Sequence, residues 1–427
     1  MRQTTIQPAR CLQGEIEIPG DKSISHRVLM FGSLAEGKSE IKGFLPSGDC
    51  RATLACFQAL GVMIKVHSET SLTVQGPGLR GLLNPGSPLN CVRSGTTMRL
   101  LAGIVAGQTF DSVLTGEEQL LRRPMRRVTE PLREMGAQIE DVDGRAPLSV
   151  HGRQLHGTVH ALSIASAQVK SALLLAGLYA DTPTVVRQCG PARDHTERLL
   201  KAMGATIEVA GLDVSVAPCL ALAPLSIRIP GDFSSAAFFV VAGALLPGSE
   251  LVARGVGVNP TRTGLLDVLR EMGARIDLEN EREQGGEPVA DLVVRSGALH
   301  GTTIQGDTVV RMIDEFPVLA VAATQAEGET IVRDAAELRV KETDRIATVF
   351  SELRRLGADI EPLADGFVVS GPTPLRGSSV ASHGDHRLAM ALAIAGLLAK
   401  GETIVRDTDC ISDSFPGFDD VLYSLIP

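Results

Sequence analysis

Tryptophan is absent from this sequence, tyrosine occurs twice, and aromatic residues make up only 3% of it. Proteins that stack single-stranded nucleic acid on aromatic rings need more than that. Basic charge is also scarce: 41 Lys and Arg face 50 Asp and Glu, a net charge of −9. Domains that bind nucleic acid are usually basic. No nucleic-acid partner is therefore expected, and any anion site has to be a local cluster in an acidic protein. The 7 cysteines are odd in number and form no CxxC pair, which argues against a disulfide framework and against a zinc site. They read as mostly buried small hydrophobes in a reducing, cytoplasmic compartment. Long apolar runs are missing too. The longest, Ala236–Leu246 and Leu388–Ala399, fall short of the ~18 residues a membrane span requires. The N-terminus lacks the apolar core of a signal peptide, so no membrane association is expected. Absent as well are HExxH and GxSxG. With them go the commonest zinc-protease and acyl-transfer chemistries.

What the chain does have is repetition. With 44% hydrophobic and 21% charged residues over 427 positions, it is globular and long enough for two or three domains. A phrase of the form Met/Leu-Gly-Ala/Val-x-Ile recurs with glycines at 61, 136, 204, 273 and 357. An amphipathic helix runs into each copy, the glycine supplies the left-handed position that stops it, and a strand follows. A second element alternates with the first. It is a short polar patch followed by an Ala-, Leu- and Val-rich stretch, with copies near Asp21, Ser94, Ser166, Asp232, Asp314 and Asp385. Helices apolar all round are buried. Six units result, the last ending in a helix over Phe415–Leu425 whose strand the N-terminus supplies. Ile16–Gly37 also resembles Ile227–Gly248 through a shared IPGD phrase. That likeness implies two domains of three units, with crossovers near Pro19-Gly20 and Pro230-Gly231.

The starts of the buried helices carry the chemistry. Helix N-termini attract anions, and here they bear Lys22, Ser23 and Arg27; Ser94 to Thr97; Ser166 and Gln168; and His386 and Arg387. Several amphipathic helix starts are basic as well: Arg122-Arg123-Pro124, Arg193-Asp194-His195 and Lys341 to Arg345. Each alone has an ordinary explanation as a cap or a solvated face. Together, at equivalent ends of repeated units, they predict a site for a small polyanion, worked by Lys and Arg clamps and carboxylate acid/base groups such as Asp314 and Glu315.

The phrases GDKSISHR (20–27), SGTTMRLLAG (94–103), RRPM (122–125), SAQVKSALLLAGL (166–178), RDHTERLL (193–200), GDFSSAAFF (231–239), DEFPVLAVAA (314–323), LRVKETDRI (338–346) and DHRLAMA (385–391) occur in this order. In that order they resemble the 5-enolpyruvylshikimate-3-phosphate synthase family over the full chain, in the branch often called class II. The resemblance implies an α/β fold of two domains, each of three βαβαββ units about a pseudo-threefold axis (the enolpyruvyl transferase inside-out barrel). The domains would be residues 21–229 and residues 1–20 plus 230–427, closing over a cleft between them. The implied reaction moves the enolpyruvyl group of phosphoenolpyruvate to the 5-hydroxyl of shikimate 3-phosphate, without cofactor or metal, in a monomeric enzyme that the herbicide glyphosate can enter.

By motif, the resemblance makes Lys22, Ser23, Arg27, Ser166, Ala167, Gln168, Arg193, Asp314 and Lys341 the shikimate 3-phosphate ligands. It makes Lys22, Gly95, Arg123, Gln168, Arg345 and Arg387 the phosphoenolpyruvate ligands. Asp314 would be the base for the 5-hydroxyl, Glu342 the proton donor to the methylene carbon, and Lys22 a further catalytic group. Two positions depart from the pattern. Arg93 stands where many members have Asn, and is open between a phosphoenolpyruvate contact and a solvent-facing side chain. Asp413 falls where some members carry a Lys. The related UDP-N-acetylglucosamine enolpyruvyl transferases pair a Lys-Asn near the N-terminus with a reactive loop Cys, whereas this chain has Lys22-Ser23 and no Cys beside Arg122-Arg123-Pro124. A non-catalytic binder of phosphorylated metabolites is the alternative of a different class.

Overall fold

The computed structural model describes residues 2–427. The chain divides into two compact units. One comprises the chain up to Pro19, Pro230–Glu283 and Pro288–Pro427; the other comprises Gly20–Ile229 with Gln284–Glu287. Each has its own apolar core, drawn from residues 6–18 and 233–425 in the first and from 24–229 in the second. The turn at Gln284–Glu287 departs from the expected division, which keeps it with the residues around it in sequence. It groups with Gly20–Ile229 because Glu287 meets His195 at 2.8 Å and the Gly286 carbonyl accepts from Arg198 at 2.9 Å.

Among the described residues, six buried helices form the cores: Lys22–Leu34, Gly95–Ala106 and Ala167–Gly177 in one unit, and Phe233–Leu245, Phe316–Gln325 and His386–Leu398 in the other. Polar patches cap all but the helix Phe316–Gln325, whose Glu315 makes no side-chain cap. Asp21, Ser94, Ser166, Asp232 and Asp385 each accept a backbone N–H of the first turn, a contact worth roughly 1 kcal/mol. Each fully buried Leu or Val on these helices adds about 1.5–3 kcal/mol over exposure. Ridges of ordinary side chains do not fit everywhere. A Cβ on Gly103 would lie 2.2 Å from the Ala172 carbonyl, so only glycine lets helices Gly95–Ala106 and Ala167–Gly177 approach this closely. Phe238, Phe239, Phe415 and Phe418 cluster together. Phe239 packs on Phe415 and Phe418, with ring centroids 5.7 and 5.6 Å away, and so docks the C-terminal helix Phe418–Ser424.

The amphipathic helices end as the repeated phrase predicts, with glycines 61, 136, 204, 273 and 357 at φ between +85° and +102°. Two predicted boundaries shift. The helix after Arg122-Arg123-Pro124 begins at Arg126, since Pro124 disfavours helical geometry in the residue before it. The last helix begins at Phe418 rather than Phe415, because Pro416-Gly417 interrupts it, and a 3₁₀ turn over Thr408–Asp413 precedes it.

Among the described residues, five sheets have four strands and one has three. In the second repeat, Leu89–Asn90 lies parallel to Asp111–Thr115, which pairs antiparallel with Arg145–His151, itself antiparallel to Gln138–Val142. The leading strands of the first and fourth repeats are exchanged. Gln13–Glu17 precedes the first buried helix but pairs with Glu250–Gly257, while Ser226–Arg228 precedes the fourth but pairs with Glu36–Lys42. The exchange occurs at the two IPGD phrases. Gln3–Ile6 completes the last sheet by pairing antiparallel with Thr403–Arg406.

Candidate functional site

The unit built on Gly20–Ile229 ties the starts of its three buried helices together with polar side chains. Arg27, from the second turn of its helix, donates to Thr196 Oγ1 at 2.8 Å, to Ser171 Oγ at 2.9 Å and to the Ser23 carbonyl at 3.0 Å. Burial pulls its pKa down to about 10, against the attraction of Glu197 and Asp21 and with the repulsion of Arg193. Lys22 lies 3.3 Å from Asp49. Gln168 accepts from Arg99 and donates to Thr96 at 2.9 Å. Gly95 faces the same guanidinium groups: a Cβ there would sit 3.1 Å from Arg123 Nη1 and 3.2 Å from Arg99 Nη1. Beneath these groups runs a buried chain. His26 Nδ1 meets Thr53 Oγ1 at 2.7 Å, Thr53 meets Thr97 at 2.7 Å, and Thr97 donates to the cap residue Ser94 at 2.7 Å. Burial drives the His26 pKa down to about 3, so the imidazole is neutral.

The other unit is organised around one guanidinium. Arg345, 1% exposed, reaches Asp385 at 2.8 Å, Glu342 at 2.7 Å and Asp314 at 3.3 Å. Burial alone would lower its pKa, but the carboxylates, Asp385 foremost, outweigh that and raise it above the ordinary value. Arg387 approaches Asp314 at 3.7 Å. Burial lowers the pKa of Lys341, with Asp314 and Glu337 pulling the other way. A neighbouring cluster joins the remaining helix starts: Arg262 donates to Asp232 at 3.1 Å and to Ser234 at 2.7 Å, and Ser234 donates to Glu315. The described residues include no group of three or more His, Cys, Asp or Glu placed to hold a metal ion.

This arrangement can hold anions on paired guanidinium and ammonium groups, and it can move protons through Asp314 and Glu342, which share one buried cation. A model of the EPSP synthase (3-phosphoshikimate 1-carboxyvinyltransferase) family matches residues 6–422. The chain belongs to that family. It is 56% identical over 425 residues to the 3-phosphoshikimate 1-carboxyvinyltransferase of Desulforudis audaxviator, covering 98% of each chain. It is 53% identical over 423 residues to that of Herpetosiphon aurantiacus, with 98% of each covered. Among solved structures, an EPSP synthase from Acinetobacter baumannii superposes with a TM-score of 0.91 at 43% identity, over 100% of this chain and 98% of that one.

Within this EPSP synthase fold, Lys22, Ser23, Arg27, Gly95, Arg123, Ser166, Ala167, Gln168 and Arg193 fall in the Gly20–Ile229 unit, and Asp314, Lys341, Glu342, Arg345 and Arg387 in the other. Asp314, Glu342, Arg345 and Arg387 are joined to one another by ion pairs, whereas Arg27 contacts Ser23, Ser171 and Thr196 and Gln168 contacts Arg99 and Thr96. Arg93 lies 3.6 Å from Glu117 with 41% of its side chain exposed. Asp413 closes the 3₁₀ turn and is half-buried. Sequence reasoning missed Arg99 and Asp385 as parts of the site. Arg99 stands four residues after Gly95, so helical spacing places both on one face. Asp385 was legible only as a helix start. No sequence signal singled out Arg262.

Proposed function

We propose that this chain transfers the enolpyruvyl group of phosphoenolpyruvate to the 5-hydroxyl of shikimate 3-phosphate and releases phosphate. The observation that carries the reading is the position of Asp314 and Glu342 on the same buried guanidinium, 3.3 and 2.7 Å from Arg345. Two carboxylates held this way can take and give protons in one reaction while the cation also offers charge to an anionic substrate.

In this proposal Lys22, Ser23, Arg27, Ser166, Ala167, Gln168 and Arg193 bind the shikimate phosphate and ring, and Lys341 and Asp314 complete the ring contacts. Lys22, Gly95, Arg123, Gln168, Arg345 and Arg387 bind phosphoenolpyruvate, with planar guanidinium groups matched to its carboxylate and phosphate. Glu342 donates a proton to C3 of phosphoenolpyruvate, which leaves C2 cation-like. The 5-hydroxyl forms a bond to C2 as Asp314 accepts its proton, giving a tetrahedral intermediate. Cleavage of the bond between C2 and the phosphate oxygen then releases phosphate, which takes up the proton held by Asp314, and return of one C3 proton to Glu342 leaves the enol ether. The proposal extends to a monomeric, cytoplasmic enzyme without cofactor, and sedimentation would check the monomer.

The test is phosphate release from purified protein given both substrates without added metal. Release should require shikimate 3-phosphate and phosphoenolpyruvate together and should fall at least about 100-fold in Asp314→Ala and in Glu342→Ala. Binding of shikimate 3-phosphate with no release would overturn the catalytic reading in favour of a non-catalytic binder.

A further inference from the structure

Lys170 and Glu197 form a buried ion pair that the reaction above does not use. Their side chains are 1% and 6% exposed, and Nζ lies 2.6 Å from Oε1. The ammonium also donates to the Ala192 carbonyl at 3.1 Å. Ala192 immediately precedes Arg193. Lys170 sits in the first turns of helix Ala167–Gly177, whose start carries Ser166, Ala167 and Gln168. Glu197 sits in helix His195–Ala202, which begins just after Arg193. One residue along each helix, Ser171 and Thr196 share a hydrogen bond of 2.7 Å, and Arg27 donates to both. The two helices are thus joined at adjacent levels, and every proposed phosphate ligand from this region hangs on that joint.

The charges matter as much as the contacts. Glu197 is the strongest of the acidic groups acting on Arg27, and Arg193 acts on it in the opposite sense. A carboxylate this close to the phosphate site would oppose an incoming dianion unless its charge were compensated. Lys170 compensates it. A buried pair of this kind contributes little net stability compared with a neutral pair of the same shape, yet losing one member leaves an uncompensated charge.

We propose that Lys170 is a positioning residue for the shikimate phosphate: it holds Arg193 through the Ala192 carbonyl and cancels the Glu197 charge beside Arg27. The proposal rests on the assignment of Arg27, Arg193 and Ser166 to that phosphate. It places no burden on the phosphoenolpyruvate ligands or on Asp314 and Glu342.

Steady-state kinetics of the full-length protein test it, with Lys170→Met, Glu197→Gln, the double variant and Arg193→Ala measured side by side. Lys170→Met should raise KM for shikimate 3-phosphate on the order of tenfold, the scale at which supporting residues usually act. KM for phosphoenolpyruvate should be unchanged, and kcat should stay within about twofold. The double variant, which removes both charges, should recover most of the lost affinity even if Lys170→Met is less stable. Equal losses in both KM values and in kcat, or a double variant no better than Lys170→Met, would reduce Lys170 to a packing role and overturn the proposal. Arg193→Ala keeps the two ideas apart. An unchanged KM for shikimate 3-phosphate in that variant would sink the assignment of Arg193. A raised KM there beside an unaffected Lys170→Met would leave the assignment standing and sink the inference alone.

Discussion

Replacing Arg345 by lysine keeps the charge but not the fork that serves Asp385, Glu342 and Asp314 at once. Asp385 is fully buried, and stripping a buried carboxylate of its partner costs about 3–5 kcal/mol. Arg345→Lys should therefore lower kcat/KM by about 100-fold or more and shift the urea midpoint downward, both measurable on one preparation. His26 makes a prediction about pH. Its folded pKa of about 3 lies below the unfolded value of 6.5, so the unfolded chain binds the proton first. Stability from this group is complete above about pH 6.5 and falls by up to about 1.4 kcal/mol for each unit below it, until about pH 3. His26→Gln should flatten that part of the stability-versus-pH curve; an identical slope in both proteins would show that other groups control it. At this scale the sequence showed cations and carboxylates of the right kind but not their pairings. Nothing in the spacing of 314, 342, 345 and 385 states that one guanidinium receives three carboxylates, because that depends on how three separate helix starts meet.

Helices were legible almost to their ends, since their boundaries are written in local chemistry. Asp and Ser accept first-turn N–H groups, and glycine takes the left-handed exit. Gly204 illustrates the second rule. It has φ +90°, and a Cβ added there would meet nothing within 4 Å, so Gly204→Ala should cost only about 1 kcal/mol, all of it from backbone strain. Gly103 is the opposite case, where the added methyl meets backbone 2.2 Å away. Gly103→Ala should destabilise by at least about 1–3 kcal/mol through overpacking. Urea titrations of the two variants separate the two costs, and comparable losses would contradict the steric account. Sheet membership was much less legible. The IPGD phrases marked where the chain crosses over, but the exchange of leading strands between the first and fourth repeats is decided by which apolar faces meet. The misplaced start at Phe415 had a local cause: the Pro416-Gly417 breaker outweighs the apolar periodicity around it.

At the scale of the whole molecule, the two cores differ in how much of the chain they need. The core of the Gly20–Ile229 unit uses residues from one continuous stretch. A fragment of residues 20–229 should therefore fold alone and melt cooperatively by circular dichroism, somewhat below the full chain because His195 loses Glu287. A fragment of residues 230–427 lacks Ile6, Leu12, Ile16 and Ile18, all part of its core. It should melt without cooperativity until a peptide of residues 1–19 is added, and a sharp transition without the peptide would refute this. The same asymmetry governs the order of events at the ribosome. The backbone N–H of Arg2 bonds Asp409, 407 residues away, and at about 5–20 residues per second that separation is about 20–80 s of synthesis. The Gly20–Ile229 unit can be complete while the strand at Gln3–Ile6 still waits, apolar side chain exposed, for a binding edge that has not yet been made. A strand synthesised among the first is thus among the last to become native, and a nascent-chain chaperone would find its longest-lived target there.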